Sequence, residues 1–224
     1  MITDERTAAY IDSLIAPLTP ALERLEAEAK CGGIPIIRKS TQSLLRFILS
    51  DVKPARILEL GTATGFSAIF MATYSEADVH IDTVENYPPR IEEARKNIEA
   101  EGLGDKINLI ESDALDTLSD LSEEGRIYDM IFMDAAKAQY LSYLPLCKKM
   151  LREGGVLVAD NVLFDGDIVQ SRFAIRRRDR TIHARMRQFL RAVSEDEELV
   201  TTILPVGDGM TLSILKREKK SRSE

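Results

Sequence analysis

Residues 57–68 read ILELGTATGFSA. Ile57, Leu58 and Leu60 form a short apolar run that ends at Gly61. A second glycine follows at Gly65, and the apolar stretch FSAIFMATY (66–74) then predicts a helix. A strand that turns through glycines into a helix is the opening unit of an α/β sheet, and apolar residues on both strand faces fit a sheet covered on both sides. The same alternation repeats down the chain. HIDTVE (80–85), INLIES (107–112), YDMIFMD (128–134) and GGVLVAD (154–160) read as strands, with helices over 88–101, 114–123 and 138–151 between them. LVTTILP (199–205) and MTLSILK (210–216) flank Gly207-Asp208-Gly209 and read as a hairpin. The fold expected is a doubly wound, seven-stranded, mostly parallel α/β sheet with one antiparallel strand, Rossmann-like in plan.

Upstream of this core, residues 4–30 predict two short helices broken around Pro17 and Pro20, followed by CGGIPII and a helix over 40–51. Residues 1–52 are therefore read as a helical cap or dimerisation segment, 53–217 as the core and 218–224 as a polar tail of the same single domain. Hydrophobic residues make up 44% of the 224 and charged residues 30%, a balance that suits one globular domain. The N-terminus, MITDERTAAY, has no apolar signal core. No apolar run reaches the ~18 residues that a membrane span needs. A cytoplasmic location is expected, with no membrane association. Cys31 and Cys147 are read as reduced thiols in preference to a disulfide.

The first strand–helix junction is the usual ligand crevice of an open α/β sheet. Its glycines are spaced G-x-x-x-G, not G-x-G-x-x-G, so a ligand with a small carboxylate is favoured over a pyrophosphate. Ser67, near the start of the helix, is placed to bond such a carboxylate. Glu85 ends the second strand and would accept from two ribose hydroxyls. Asp113, after the third strand, would accept from an adenine amino group, with the Ala114 backbone at the ring edge. Alone, the glycine pair is weak, since many tight strand–helix turns contain two glycines. Together with Glu85 and Ser112-Asp113-Ala114 it becomes specific.

Asp134 ends the fourth strand, and Asp160-Asn161 ends the fifth. Neighbouring parallel strands would bring all three to one sheet edge. Two carboxylates and an amide oxygen form a hard donor set, favouring Mg²⁺, Mn²⁺ or Ca²⁺ over zinc. The two histidines, His80 and His183, lie outside these motifs. The plainer alternative is that Asp160-Asn161 is only a turn.

This constellation resembles the class I S-adenosylmethionine-dependent methyltransferases, with the matching strands spanning about 55–216. More narrowly, VENYPPRIEEARKNIEAEGLGDKI (84–107), FMDAAKAQY (132–140) and GGVLVADNVLFDG (154–166) are similar to the cation-dependent O-methyltransferases, which include the catechol and caffeoyl-CoA enzymes and bacterial tRNA 5-hydroxyuridine enzymes. The resemblance implies S-adenosylmethionine as cofactor, with Ile36, Glu59, Gly61, Thr62, Gly65, Ser67, Glu85, Asp113, Ala114 and Asp134 as its candidate contacts. It also implies Asp134, Asp160 and Asn161 as ligands of a divalent metal, Mg²⁺ first. Lys137 becomes the candidate general base beside a catalytic Asp134, against the alternative of an ordinary surface lysine. A homodimer is implied as well.

Arginines choose the expected acceptor. The net charge is −7, yet residues 172, 176, 177, 178, 180, 185, 187 and 191 are all arginine, with Asp179 the one acid among them. A helix over about 171–194 is predicted to carry them. Arginine suits phosphate, and the stretch resembles the tRNA enzymes. Arg38, Lys39, Arg172, Arg176, Arg177 and Arg178 are accordingly candidate RNA contacts, with Tyr140, Phe164 and Phe173 as stacking surfaces, against the plainer alternative that each is a packing residue. The expected reaction is methylation of wobble 5-hydroxyuridine in tRNA to 5-methoxyuridine. The alternative is a small phenolic acceptor of catechol or caffeoyl-CoA type, with the arginines pairing internally or forming an interface.

Overall fold

The computed structural model describes residues 4–171 and 173–216; Arg172 and the 218–224 tail lie outside them. Three helices come first: α1 (Glu5–Leu14), α2 (Pro20–Cys31) and α3 (Lys39–Val52). The alternating core follows as β1 (Arg56–Leu60), α4 (Phe66–Tyr74), β2 (His80–Glu85), α5 (Pro88–Ala100), β3 (Ile107–Glu111), α6 (Ala114–Glu123), β4 (Tyr128–Met133), α7 (Tyr140–Met150) and β5 (Leu151–Ala159). The chain closes with α8 (Arg180–Glu195), β6 (Leu199–Leu204) and β7 (Met210–Leu215).

The seven strands form one sheet in the order β3-β2-β1-β4-β5-β7-β6. All pairs are parallel except those of β7, which runs antiparallel to both β5 and β6. Strand order reverses between β1 and β4, so a crevice opens at their carboxyl ends. Side-chain alternation divides the core in two. Ile57, Met130 and Phe132 face α2, α3 and α4, whereas Leu58, Ile131 and Met133 face α6, α7 and α8. This is why the central strands read as continuous apolar runs.

The N-terminal helices differ from one another. Leu22, Leu25 and Ala29 of α2 are buried in the first core, while α1 buries no residue. Among the described residues no helix is long and apolar enough to cross a membrane.

Two expectations need correction. The fifth strand begins at Leu151, directly after α7, because Leu151 pairs with Tyr128 ahead of a register shift. The arginine-rich helix begins only at Arg180. Before it lie 3-10 turns at Phe164–Val169 and Arg177–Asp179. A helix running from 171 would stack Arg172, Arg176 and Arg180 at i, i+4, where like charges repel. Arg180 instead folds back, its guanidinium donating to the carbonyls of Ile175 (3.1 Å) and Phe173 (3.4 Å).

Candidate active site

At the end of β1 the chain turns through Gly61, with φ 98°. A Cβ there would lie 2.2 Å from the Asp134 carbonyl oxygen, so the tips of β1 and β4 meet only because this residue is glycine. Gly65, φ 85°, starts α4 and is not part of the cavity wall. Above the turn lies a cavity of about 650 Å³, bordered by Ile36, Gly61, Thr62, Ser67, Glu85, Asp113, Ala114 and Asp134 of the predicted cofactor set. That volume suits a nucleoside-bearing ligand.

The wall carboxylates are fixed by backbone. Glu85 Oε2 accepts from Ala63 N (2.9 Å), and its Oε1 accepts from Asn86 N and Tyr87 N (3.0 Å each). Asp113 caps α6 by accepting from Leu115 N at 2.8 Å. Asn86 Nδ2 donates to Asp113 Oδ2 at 3.4 Å and joins the two. Asn86, Ser112 and Tyr143 also line the cavity. Ser112 belongs to the Ser112-Asp113-Ala114 stretch singled out above, whereas Asn86 and Tyr143, an isolated amide at a turn and an aromatic in a helix, carry no such signal in the sequence.

Glu59 lies beneath the wall and is fully buried. Thr83 Oγ1 donates to its Oε2 at 2.5 Å, and Thr62 Oγ1 sits 2.6 Å from Thr83 Oγ1. The chain of hydroxyls thus runs from the turn down to the carboxyl group. Glu59 Oε1 has no hydrogen-bond partner among the described residues. Burial pushes this carboxyl up from its ordinary 4.5 to about 7; the charges of Asp134 and Glu85 add to the rise, and the hydroxyls of Ser67 and Thr83 oppose it. The folded state therefore favours the protonated form. The stability this gives is complete below pH 4.5 and is lost as pH rises through 7. Glu59→Gln should flatten the fall in melting temperature of the ligand-free protein between about pH 5 and pH 8. An unchanged slope would show that Glu59 does not titrate there.

The second half of the cavity is built on β4 and β5. Asp134 follows β4, its N–H donating to Leu60 O (2.9 Å), and Asp160 follows β5, its N–H donating to Met133 O (3.0 Å). Met133 pairs with Ala159, so the two acids emerge side by side. Burial is the main reason both carboxyls are pushed up, Asp160 to about 7 with the Asp134 charge adding; Lys137 opposes the rise at each. Asn161 has φ 60°, a left-handed conformation that asparagine tolerates. Its Nδ2 donates to Asp208 Oδ2 at 3.3 Å, which leaves its amide oxygen to other partners. Lys137 borders the same cavity.

Asp208 is the residue that sequence reasoning missed, having read the β6–β7 connection only as a turn. It lines the cavity and pairs with Arg38 at 2.5 Å. Leu163 N donates to Asp208 O (3.0 Å) and Val162 N to Gly209 O (2.9 Å), lacing the turn to the segment after β5. The flanking glycines are forced by packing: a Cβ on Gly207 would lie 2.5 Å from Thr41 Oγ1, and one on Gly209 2.2 Å from Leu163 Cγ. A glycine–acid–glycine turn was the available signal, and only the fold shows what it faces.

A second cavity of about 450 Å³ adjoins the first, sharing Lys137 and Asp208 and bordered also by Phe164, Asp167, Arg176 and Asp179. Among the described residues, Arg176 is the predicted RNA-binding arginine on this second wall, beside Phe164 of the predicted stacking residues. Arg38 borders the first cavity; exposed Lys39 starts α3 and borders neither. Arg177 and Arg178 are exposed, and Arg178 pairs with Asp179 at 3.5 Å. Arg185 donates to Ala138 O (3.0 Å) and Arg187 to Ile168 O (3.3 Å), while Arg191 pairs with Glu195. Much of the arginine excess is spent on internal carbonyls and acids. Tyr140 is fully buried and offers no stacking surface, whereas Phe173 is 85% exposed.

Known proteins place this arrangement. The model of the O-methyltransferase family matches residues 16–216. The catechol O-methyltransferase of Mycobacterium tuberculosis is 32% identical over 163 residues, 72% of this chain and 73% of its own. A caffeoyl-CoA O-methyltransferase of Stellaria longipes is 30% identical over 171 residues, 75% of this chain and 71% of its own. Among solved structures, the S-adenosylhomocysteine-bound methyltransferase of Podospora anserina superposes with a TM-score of 0.83 at 26% identity, covering 95% of each chain. The chain belongs to the O-methyltransferase family. It is an S-adenosylmethionine-dependent O-methyltransferase.

Proposed function

We propose that the protein methylates one hydroxyl of a small catechol-type acceptor, at a divalent cation held by Asp134, Asp160 and Asn161. The observation that carries this is the meeting, in one cavity, of the Glu85 and Asp113 carboxylates, the half-buried Asp134, the buried Asp160, the Asn161 amide and Lys137. The donor set fits a hard dication: burial and the charge of Asp134 push the Asp160 carboxyl up, so a cation held between the two acids would relieve their repulsion, and the Asn161 amide nitrogen is already engaged by Asp208.

In this reading Glu85 and Asp113 hold the ribose and adenine of S-adenosylmethionine, and Ser67 holds its carboxylate. A phenolic hydroxyl has a pKa near 10, and a dication in the site would stabilise its oxyanion. Lys137, once its ammonium has passed a proton to solvent, accepts the phenolic proton on Nζ as the neutral amine. The oxygen then bonds to the methyl carbon as the carbon–sulfur bond breaks, leaving S-adenosylhomocysteine. Bringing the reactants together in one cavity removes much of the entropic barrier. Relatives named for catechol and caffeoyl-CoA support an acceptor of this class.

A tRNA 5-hydroxyuridine acceptor is the second reading, favoured by Arg176 on the cavity wall beside Lys137. The internal bonds of Arg180, Arg185 and Arg187 weaken it. The deciding experiment supplies labelled S-adenosylmethionine and Mg²⁺ with either a catechol panel or tRNA carrying 5-hydroxyuridine. Transfer to catechols is expected. Appearance of 5-methoxyuridine, lost in Arg176→Ala, together with inert catechols would replace the first reading with the second.

A further inference from the structure

We propose that Tyr140 sets the separation of the two carboxylates at the tips of β4 and β5, and through it the size of cation the site accepts. The inference rests on the metal reading above. The parallel ladder between these strands ends at Met133 opposite Ala159. One further bond, Asp160 N to Met133 O at 3.0 Å, extends it, and the chain then turns away at the left-handed Asn161. At this point ladder bonding stops and other contacts must hold the strand tips together.

The phenol of Tyr140 supplies such a contact. Its Oη lies 3.0 Å from Met133 O and 3.2 Å from Asp160 O, one hydroxyl donating between two strands. The Met133 carbonyl belongs to the peptide unit whose nitrogen is that of Asp134. The Asp160 carbonyl belongs to the unit whose nitrogen is that of Asn161. Fixing these two peptide planes fixes the backbone of all three candidate ligands. The ring behind the hydroxyl is fully buried in the second core, where Phe189 of α8 is one of its neighbours, edge-on with centroids 5.4 Å apart. Tyr140 is thus a positioning residue that reaches the metal site only through backbone.

Cation size is the property such a clamp would control. Mg²⁺ needs ligands at about 2.0–2.1 Å in near-ideal octahedral geometry, and Mn²⁺ accepts much the same oxygen sites; Ca²⁺ tolerates about 2.3–2.6 Å and irregular geometry. Loosening the strand tips therefore costs the smaller ions more.

The test uses the full chain without cofactor or acceptor. Mn²⁺ and Ca²⁺ affinities are measured by calorimetry for the wild type, Asp134→Ala, Tyr140→Phe and Phe189→Leu. Tyr140→Phe keeps the buried ring and removes only the hydroxyl. It should raise the Mn²⁺ Kd about tenfold or more while raising the Ca²⁺ Kd less than about threefold. Phe189→Leu keeps the hydroxyl and should lower the melting temperature without changing the Mn²⁺-to-Ca²⁺ ratio, which separates the clamp from packing. An unchanged ratio in Tyr140→Phe, with wild-type binding intact, overturns the inference and leaves the metal reading standing. Absence of any wild-type binding that Asp134→Ala removes would overturn the metal reading and the inference with it.

Discussion

Asp134→Ala is expected to lower kcat/KM for methyl transfer by about 10³-fold or more, the scale of losing several kcal/mol of transition-state charge stabilisation. Asp134 stands where three elements meet: its N–H is tied to Leu60, its carbonyl closes on Gly61, and its carboxyl faces Asp160. The substitution leaves the backbone bonds in place, so the protein should fold and retain its cofactor site. Removing Asp134 also relieves part of what raises Asp160, whose pKa should fall below about 7 while burial still holds it above the ordinary carboxylate range. Activity and S-adenosylhomocysteine affinity, measured side by side, check the assignment. A comparable loss in both would mean that Asp134 serves the cofactor wall and not the transfer step.

Lys137→Met should lower kcat by about 10²- to 10⁴-fold, the range of one general base, with little change in KM for S-adenosylmethionine. Lys137 opens the 3-10 turn at 137–139 and borders both cavities. The turn is held from α8 by the bond from Arg185 to Ala138 O. Lys137→Arg separates two roles. Arginine keeps the positive charge beside the carboxylates but cannot give up a proton to become a base. If Lys137 takes the acceptor's proton, the arginine variant stays as inactive as the methionine variant. Recovery of most activity in Lys137→Arg would mean that only its charge matters.

The sheet was legible because the central strands are buried on both faces and read as apolar runs, each stopping at a glycine or acid. β1, β2, β4 and the helices between them stand where the pattern put them. The crevice was equally legible, since Gly61, Glu85 and Asp113 line one cavity at strand ends whose positions follow from the alternation. What the sequence hid depends on contacts between distant segments. Nothing near Asp208 in the chain indicates that it faces Asn161 and Arg38. Tyr140 lies just past Lys137 in a polar stretch of sequence, yet it turns inward to bond two carbonyls. The arginine run looked like a phosphate surface because sequence shows charge but not partners. Arg180, Arg185 and Arg187 have backbone carbonyl partners, and these hold the loops around the second cavity in place.

The most direct test of the central claim is methyl transfer from labelled S-adenosylmethionine to a catechol by protein stripped of metal with a chelator, then resupplied with Mg²⁺. The stripped sample should give no monomethylated product and should recover fully on adding Mg²⁺, whereas Asp134→Ala should not recover. Undiminished methylation by the stripped protein would contradict the claim.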